Sequence, residues 1–292
     1  MEETENFDRD WLNERYPFDV AARDKSLETK VLSDFRTKEN LVLVDVGAGT
    51  GSNTLYFVEK LPQSQHWWLI EQNETLRDAT FRRFKDFAAY HKYEFSKKKY
   101  TITIKTPSKV IKVTILNDSL FNLAQLVPIG KVDLVMANAV FDLFTKTQLE
   151  NWVAILQDNQ LPFYTTLTYQ SMAFQPEDTF DTTFIDLYNQ HMERPQELGR
   201  AMGKNAANYL VALLQKNQEV ATAESTWHVE SEDIKMHYYL LNFMENALAE
   251  MDLSVSMSEN FERWVQRKKD SIMMRQQRLL IRHLDAYSPF YE

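Results

Sequence analysis

Continuous apolar runs alternate with stretches of helical periodicity over the first 170 residues of the chain. The runs cover residues 41–46, 67–70, 132–136 and 163–169. Unbroken apolar strands are typical of parallel sheets, whose two faces are both covered by helices. The amphipathic stretches between the runs supply those helices. The alternation therefore predicts an α/β fold with a doubly wound, mostly parallel sheet of seven strands.

The remaining pattern divides the chain into three parts. Residues 100–105 and 110–116 alternate apolar and polar positions on either side of Pro107, which predicts a hairpin. After residue 170 the spacing is mainly helical, with two further strand-like runs at residues 220–229 and 279–287. We predict an N-terminal helical segment (1–40), a ligand-binding core (41–170), and a helical cap with the last strands that complete the sheet (171–292).

Three glycines at alternate positions, Gly47, Gly49 and Gly51, separate the first predicted strand from the next helix. Glycine adopts positive φ angles and lets a ligand approach the bare backbone. The helix that follows directs unpaired N–H groups and a partial positive charge at that ligand. A junction without a ligand would not need three of the chain's 6 glycines. We therefore predict a cofactor site at this turn.

Two cofactor classes use a glycine turn of this kind. Dinucleotide-binding enzymes have a third glycine in the first helical turn, G-x-G-x-x-G, and Ser52 stands at that position here. The spacing found instead, Asp45-x-Gly47-x-Gly49-x-Gly51, resembles the first motif of class I S-adenosylmethionine (SAM) dependent methyltransferases. The resemblance implies a Rossmann-like fold with SAM as cofactor. An NAD(P)-dependent oxidoreductase is the competing interpretation.

Polar residues follow the next three parallel strands. Glu71 ends the second strand, at the sheet edge where open α/β folds bind ligands, and its carboxylate can accept from both ribose hydroxyls. Asp118 matches the family position that accepts from the adenine amino group, although a turn or helix cap is the alternative. Asn138 ends the strand that lies beside the methyl group in the family. Branches that methylate amide or adenine nitrogens have Asn-Pro-Pro-Tyr there, and this chain lacks the prolines.

Near the N-terminus, Arg15, Asp19 and Arg23 recur at four-residue spacing, which places them on one helical face if the helix continues through Pro17. One interpretation is a solvated row of salt bridges that contributes little to stability. The other is that this segment covers the cofactor and that an arginine binds the methionine carboxylate with both arms of its guanidinium.

The wider resemblance is to one bacterial branch of these methyltransferases, for which no substrate is assigned. It extends to residues 11–23, 189–194 and 285–289. The cofactor contacts that we expect are Arg15, Arg23, Asp45, Gly47, Ala48, Gly49, Thr50, Gly51, Asn53, Glu71, Gln72, Asp118, Ser119, Asn138 and Ala139.

We expect the acceptor pocket between the end of the fourth strand and the cap. Asp142 or His191 would act as general base, and Arg194 and Trp227 would contact the acceptor. His191 lies on an apolar helical face, with Arg194 adjacent to it along the helix. An inward arginine is costly unless it meets an anion, which predicts a small, acidic acceptor.

Each of these acceptor-site residues also has a structural interpretation. Asp142 can stabilise the start of a helix through the helix dipole. His191 can be a core histidine that bonds a backbone carbonyl. Arg194 can pair with a surface carboxylate such as Glu193 or Glu197.

Composition narrows the remaining choices. A net charge of −9 and a pI of about 5.3 argue against a broad nucleic-acid surface. The chain has no cysteine, which excludes disulfides and thiolate chemistry and favours a cytoplasmic protein. We see no signal peptide or membrane-spanning run, and the 6 histidines show no metal-ligand spacing.

The sequence therefore predicts a SAM-dependent methyltransferase that acts on a small molecule by in-line methyl transfer, without a metal and without a membrane or nucleic-acid partner. Its oligomeric state is left open. Besides the oxidoreductase, the alternative is a non-catalytic SAM-binding regulatory protein. The sequence alone does not separate that protein from an enzyme.

Overall fold

Helices and strands alternate along most of the chain in the computed structural model, which describes residues 9–196 and 199–290. The helices are α1 (Arg9–Ala22), α2 (Lys25–Asp34), α3 (Ser52–Lys60), α4 (Glu74–Tyr90), α5 (Leu123–Leu126), α6 (Lys146–Asp158), α7 (Asp181–Met192), α8 (Ala206–Leu214), α9 (Ile234–Ala249) and α10 (Val255–Met273). The strands are β1 (Asn40–Val46), β2 (Ser64–Ile70), β3 (Glu94–Lys98), β4 (Thr101–Lys105), β5 (Val110–Leu116), β6 (Leu134–Asn138), β7 (Phe163–Gln175), β8 (Pro195–Gln196), β9 (Gly199–Arg200), β10 (Ala221–Val229) and β11 (Arg278–Ser288).

Side-chain caps fix several helix starts. Asp24 accepts from the Leu27 N–H at the start of α2, and Asn73 accepts from Leu76 at the start of α4. Thr145 begins α6 with a reciprocal capping box. The caps of α4 and α6 follow β2 and β6, where they fix the direction in which each helix leaves the sheet.

Nine of the described strands form one sheet in the order β10-β11-β7-β6-β1-β2-β5-β4-β3. The prediction of an α/β fold is confirmed, but the prediction of seven mostly parallel strands is wrong. Strands β5, β2, β1, β6 and β7 are mutually parallel, whereas β3, β4 and β11 join their neighbours antiparallel.

No run in the sequence predicts β3, which adds an antiparallel edge beyond the predicted hairpin of β4 and β5. Only Phe95 is apolar in this segment, so its sequence lacks the alternation that indicates a half-buried strand. Lys97 and Lys98 lie on it, at the outer edge of the sheet. Lysines on an edge strand oppose pairing with another chain.

The strand order reverses between β1 and β6, which are neighbours in the sheet although four strands separate them in the chain. At such a reversal the connections leave β1 and β6 in opposite directions, and a crevice opens at their carboxyl ends. The glycine turn follows β1 and Asn138 ends β6, so both predicted features lie at this crevice.

Three apolar clusters hold the layers together. Phe57 of α3 and Phe84 of α4 pack on one face of the sheet, and Trp152 of α6 and Leu210 of α8 pack on the other. The third cluster joins α7, α9 and α10 to the outer halves of β7 and β11, around Trp264. We refer to α7, α9 and α10, with this cluster, as the cap.

Helix α1 connects the cap to the crevice. Trp11 packs edge-on against Phe243 of α9, with ring centroids 4.9 Å apart, and against Trp227 of β10 at 6.1 Å. Lys235 of α9 also pairs with Glu14. In the described part of the chain, no helix is both long enough and apolar enough to cross a membrane.

Candidate functional site

All three glycines of the turn adopt left-handed φ angles, +61° at Gly47, +55° at Gly49 and +71° at Gly51. A Cβ on Gly47 would lie 2.8 Å from Val140 Cγ2, which follows β6, so this glycine also permits the two strand ends to approach. A Cβ on Gly49 would meet only Leu12 of α1, at 3.6 Å. The N-terminal segment thus covers the turn, as predicted.

A carboxylate closes the turn from the neighbouring strand. Glu71 accepts from the Gly49 N–H through Oε2 (2.9 Å) and from the Asn73 N–H through Oε1 (2.8 Å). The N–H of Ala48 donates to the Ile70 carbonyl. Each carboxylate oxygen has further acceptor capacity, so the fixed Glu71 can still accept from two hydroxyls. Its role at a ribose stays a prediction.

Asp45 supports the turn from below. It is buried, and it accepts from Asn53 Nδ2 (2.9 Å) and Thr54 Oγ1 (2.6 Å) in the first turn of α3. Burial raises the pKa of Asp45 to about 6, against the lowering effect of these hydrogen bonds. Asp45 and Asn53 therefore hold the start of α3, and their side chains are used within the protein.

A cleft of about 410 Å³ opens at the carboxyl ends of β1, β2 and β5. Five predicted cofactor residues line it, namely Gly47, Glu71, Gln72, Asp118 and Ser119. The other lining residues are Ile70, Leu120, Phe121, Phe144, Gln148 and Asn151. Ile70, Leu120, Phe121 and Phe144 form an apolar wall of the cleft. The sequence analysis did not identify this wall, because no motif marks these residues. Its volume is within the range of small-molecule sites.

Asp118 satisfies both of its interpretations. Its Oδ1 accepts from the Ser119 N–H and from Asn122 Nδ2, each at 2.7 Å, as a turn residue would. Ser119 in turn caps the 3₁₀ turn Leu120–Asn122, because its Oγ accepts from the Phe121 N–H (3.3 Å). Both bonds use Oδ1, and Asp118 also lines the cleft, so Oδ2 can accept from a ligand.

Arg77 is a site residue that the sequence did not indicate. Its Nη1 donates to the carbonyls of Glu71 and Gln72 and to Asn117 Oδ1, which follows β5. One guanidinium therefore fixes the ends of two adjacent strands on either side of the cleft. The only local sign is its position in the first turns of α4, close behind Glu71.

Arg15 and Asp19 share one face of α1, as their spacing predicts, and Arg23 lies directly after the helix. Arg15 Nη2 lies 3.1 Å from Asp19 Oδ1, and the exposed fractions of the two side chains are 12% and 6%. The interpretation as a solvated salt-bridge row is therefore wrong. The helix continues through Pro17, and its charged face points into the protein.

Arg23 connects the end of α1 to the start of α3 and to the end of β6. Its Nη2 donates to Asn53 Oδ1 (2.8 Å) and to Asn138 Oδ1 (3.0 Å). A guanidinium only donates, so both amide oxygens must face Arg23. The amide nitrogens then donate onward, from Asn53 to Asp45 (2.9 Å) and from Asn138 to Asp19 (3.4 Å). The buried polar groups form one chain with a consistent direction.

Arg23 also has spare donors. Its Nε and Nη1 are buried and meet no acceptor among the described residues. Arg15, by contrast, pairs with Asp19 and lies 4.9 Å from the Trp227 ring. The binding of a methionine carboxylate by either arginine stays a prediction, and Arg23 has the capacity for it.

The expected acceptor site is not assembled as predicted. His191 Nε2 lies 3.0 Å from Glu250 Oε2 at the end of α9, and Arg194 pairs with the same carboxylate. The Arg194 side chain is 39% exposed, so the prediction that it points inward at an acidic acceptor is wrong. Its partner is Glu250 instead of Glu193, and Glu197 lies outside the described residues.

Trp227 and Asp142, both expected in the acceptor pocket, belong to different parts of the fold. Trp227 is buried against α1, where the Phe18 ring lies 6.1 Å away. Asp142 lies in a 3₁₀ turn directly after β6 (Phe141–Leu143). Burial raises the pKa of the Tyr169 hydroxyl, and the charge of Asp142 adds to this effect. The role of Asp142 as a base stays a prediction.

Tyr169 is a further residue of this region that the sequence analysis did not single out. Its hydroxyl donates to Asn189 Oδ1 of α7 at 2.9 Å, and both side chains are buried. The pair joins β7 to the cap beside Asp142. The two residues are 20 positions apart in the chain, so no helical or strand spacing indicates their contact.

His283 of β11 is buried beside Trp227, with ring centroids 5.2 Å apart. Its Nδ1 lies 3.1 Å from the Ser225 carbonyl, which requires a proton on Nδ1. Burial lowers the pKa of His283 to about 3, and the charge of Arg15 contributes. The imidazole is therefore neutral in the folded protein at ordinary pH.

We expect this histidine to make the protein sensitive to acid. Below a pH of about 6.5 the unfolded chain protonates His283, whereas the folded protein does so only near pH 3. The unfolded state then binds more protons. The free energy of unfolding therefore falls as the pH is lowered, by up to about 1.4 kcal/mol per pH unit. His283→Gln should flatten this slope in urea unfolding between pH 6 and 4. His228→Gln, at an exposed position of β10, is the control, and equal slopes in both variants would contradict the prediction.

Among residues 9–196 and 199–290, no group of three or more histidine, aspartate or glutamate side chains could hold a metal ion.

No family model matches the chain, and a search of curated proteins finds no match. Solved structures do resemble it. Phosphoethanolamine N-methyltransferase 2 of Haemonchus contortus, in complex with S-adenosyl-L-methionine, has a TM-score of 0.46 at 9% identity, over 100% of this chain and 60% of that one. Cyclopropane synthase MmaA2 of Mycobacterium tuberculosis has a TM-score of 0.45 at 11% identity, over 98% and 87%.

A third similar structure is geranyl diphosphate C-methyltransferase of Streptomyces coelicolor A3(2), in complex with Mg²⁺, geranyl-S-thiolodiphosphate and S-adenosyl-L-homocysteine. It has a TM-score of 0.41 at 13% identity, over 90% of this chain and 76% of that one. The first of these structures contains S-adenosyl-L-methionine and the third contains S-adenosyl-L-homocysteine. Similarity this distant concerns the path of the chain, so the roles of individual residues depend on the site itself.

Proposed function

We propose that this protein is a SAM-dependent methyltransferase that acts on a small molecule. The observation that carries the proposal is the position of Glu71. Its carboxylate is fixed by two backbone N–H groups at the end of β2 and lines the cleft next to Gly47. A fixed acceptor of this kind suits the two hydroxyls of a nucleoside ribose.

The same geometry disfavours a dinucleotide. A pyrophosphate needs free N–H groups at the glycine turn. Here the N–H groups of Ala48, Gly49 and Gly51 donate to Ile70, Glu71 and Ala48 respectively. The Glu71 carboxylate also places a negative charge against the turn. A nucleoside with a sulfonium side chain avoids this repulsion, which favours SAM over NAD(P).

The residues divide into three groups along the crevice. Asp118 and Ser119, with the apolar wall, would hold the adenine, and Glu71 with Gln72 would hold the ribose. The backbone from Gly47 to Gly51, including Ala48 and Thr50, would lie against the cofactor. The methionine end of SAM would be held by Arg15 and Arg23, in and directly after α1, and by Asn138 and Ala139 at the end of β6. Asp45 and Asn53 support this arrangement.

When bound, SAM supplies an electrophilic methyl group on a sulfonium. The protein contributes position and the exclusion of water, and alignment of this kind can lower a barrier by roughly 7–11 kcal/mol. Helix α1 excludes water because it covers the glycine turn and packs on the cap. Asp142, next to Tyr169, is the residue that we propose as base for an acceptor that must lose a proton.

The acceptor is proposed as a small molecule without an assigned charge. Arg194 has Glu250 as its anion, so the argument for an acidic acceptor no longer applies. His191 shares that carboxylate, and we do not propose it as a base. The space between the end of β6, α1 and the cap, next to Tyr169 and Trp227, is where we propose that the acceptor binds.

A thermal-shift screen with SAM, S-adenosylhomocysteine and NAD tests the cofactor. We expect the first two to raise the melting temperature and NAD to leave it unchanged. Stabilisation by NAD alone would overturn the proposal in favour of an oxidoreductase. Turnover of labelled SAM with a pool of small metabolites then distinguishes an enzyme from a SAM-binding regulatory protein.

The glycine turn offers a sharper test. Gly49→Val places a branched side chain at φ +55°, against Leu12 of α1 and on the backbone that the cofactor must approach. We expect SAM affinity measured by calorimetry to fall at least tenfold. Gly130→Val is the matched control, because a Cβ there meets nothing within 4 Å. Unchanged SAM affinity in Gly49→Val would contradict the proposed contact.

A further inference from the structure

A bulge in β7 lies beside the end of β6. The pairing of β7 with β11 shifts register between Leu284 and Ala286, so that two residues of β7, Thr166 and Leu167, lie opposite Asp285. Bulges bend a strand and change the direction of its side chains, and they are frequent next to active sites. This one lies at the level where β7 pairs with the last residue of β6.

Asp285 holds the bulge in place. Leu167 has a left-handed φ of +59°, which leucine rarely adopts, and its N–H no longer joins the sheet ladder. Asp285 Oδ1 accepts this N–H at 2.8 Å and also accepts from Ser225 Oγ at 2.5 Å. The Asp285 side chain is fully buried. A buried carboxylate thus supplies the acceptor that the bulge needs.

The bulge in turn fixes the end of β6. Thr166 Oγ1 donates to Asn138 Oδ1 at 2.7 Å, and the Thr166 carbonyl accepts from the Ala139 N–H at 2.9 Å. Ala139 itself has a left-handed φ of +53°. Thr166 therefore holds both the side chain and the backbone at the point where the crevice begins, and a change in the bulge would move both.

The second donor to the Asn138 oxygen is Arg23, and it also lies within the field of Asp285. The positive charge of Arg23 opposes the effect of burial on the Asp285 carboxyl. Asn138 is thus oriented by two groups, Thr166 and Arg23, and Asp285 acts on the first of them through the bulge. A neutral side chain could still accept the Leu167 N–H, but more weakly, because hydrogen bonds to a carboxylate are roughly twice as strong as neutral ones.

We propose that Asp285 is a positioning residue for the reacting end of the site. It holds Leu167 in the bulge, and the bulge places the Thr166 hydroxyl that sets the orientation of the Asn138 amide. This inference rests on the proposed function, because it takes Asn138 to lie beside the methionine end of the cofactor. Asp285 itself, being buried, touches neither cofactor nor acceptor.

Two ligands that differ only at the methionine end test the inference. S-adenosylhomocysteine has the amino-acid part, and 5′-methylthioadenosine lacks it. In Asp285→Asn we expect the affinity for S-adenosylhomocysteine to fall about tenfold while the affinity for methylthioadenosine stays within twofold of the parent protein. Calorimetry well below the melting temperature of each variant measures both. A loss of stability alone would change neither affinity.

Asp133→Asn is the matched control. Asp133 is also a carboxylate that accepts a strand N–H, from Val42 at 2.7 Å. It directly precedes β6, so it lies at the opposite end of that strand from Asn138. We expect both affinities to be unchanged there. Equal losses for the two ligands in Asp285→Asn, or no loss for either, would overturn the inference.

A second measurement does not depend on the cofactor. The Asn138 side-chain amide, assigned in NMR spectra through an Asn138→Asp reference, should shift and exchange faster in ligand-free Asp285→Asn and stay in place in Asp133→Asn. An unmoved amide would overturn the positioning role. If the parent protein binds neither nucleoside, the proposed function fails, and the amide result still decides whether Asp285 orients Asn138.

Discussion

Replacing Glu71 with alanine is expected to weaken SAM binding by roughly a hundredfold or more, since two charge-assisted hydrogen bonds of about 1.5–3 kcal/mol each are lost. Calorimetry with SAM and S-adenosylhomocysteine measures the loss. The structure adds a second effect. The Gly49 and Asn73 N–H groups lose their acceptor, so the free energy of unfolding of the ligand-free protein should also fall, by about 1–2 kcal/mol.

Glu71→Gln separates these two effects. The amide keeps one acceptor oxygen for the turn but cannot accept from both ribose hydroxyls, so stability should recover further than affinity. Glu74→Ala is the control for a lost negative charge, because Glu74 is exposed in the first turn of α4. Wild-type affinity in Glu71→Ala would show that this carboxylate only closes the turn.

Replacing Arg23 with methionine is expected to lower the free energy of unfolding by about 3–5 kcal/mol, the usual cost of removing one partner from a buried charged network. Methionine keeps apolar volume but donates nothing. The oxygens of Asn53 and Asn138 lose their shared donor. The carboxyls of Asp45 and Asp285 lose the cation whose charge lowers their pKa against burial.

Urea unfolding at pH 8 and pH 5 tests this mechanism. Without Arg23 the pKa of Asp45 should rise further above its present value of about 6. At pH 5 the carboxyl is protonated, so the stability lost in Arg23→Met should be smaller there than at pH 8. Arg36→Met removes an exposed arginine at the end of α2 and serves as the control. A deficit below about 1 kcal/mol at pH 8 would mean that the network is not essential to the fold.

Features carried by neighbouring residues were predictable from the sequence. The glycine turn needs left-handed angles within a few residues, and glycine composition shows that directly. The shared face of Arg15 and Asp19 follows from helical spacing alone. Both predictions concern geometry that one element determines by itself.

Features that depend on distant partners were not predictable. The spacing around Arg23 indicates its face, but not that Asn138, 115 residues later, receives its hydrogen bond. His191 and Arg194 have the spacing of an inward pair, yet Glu250 meets them from another helix. Similarly, no local pattern marks Asp285 as the acceptor of a bulge, because the bulge lies in a different strand.

Helix α1 is made well before the residues on which it packs. Trp11 packs on Trp227 and Phe243, and Glu14 pairs with Lys235. These partners belong to β10 and α9, more than 200 positions later in the chain. The emerging chain can therefore order its glycine turn while the segment that covers the turn still waits for its partners. Contacts over such separations close large loops and form late. We therefore expect the cover over the crevice to be completed only after β10 and α9 have left the ribosome.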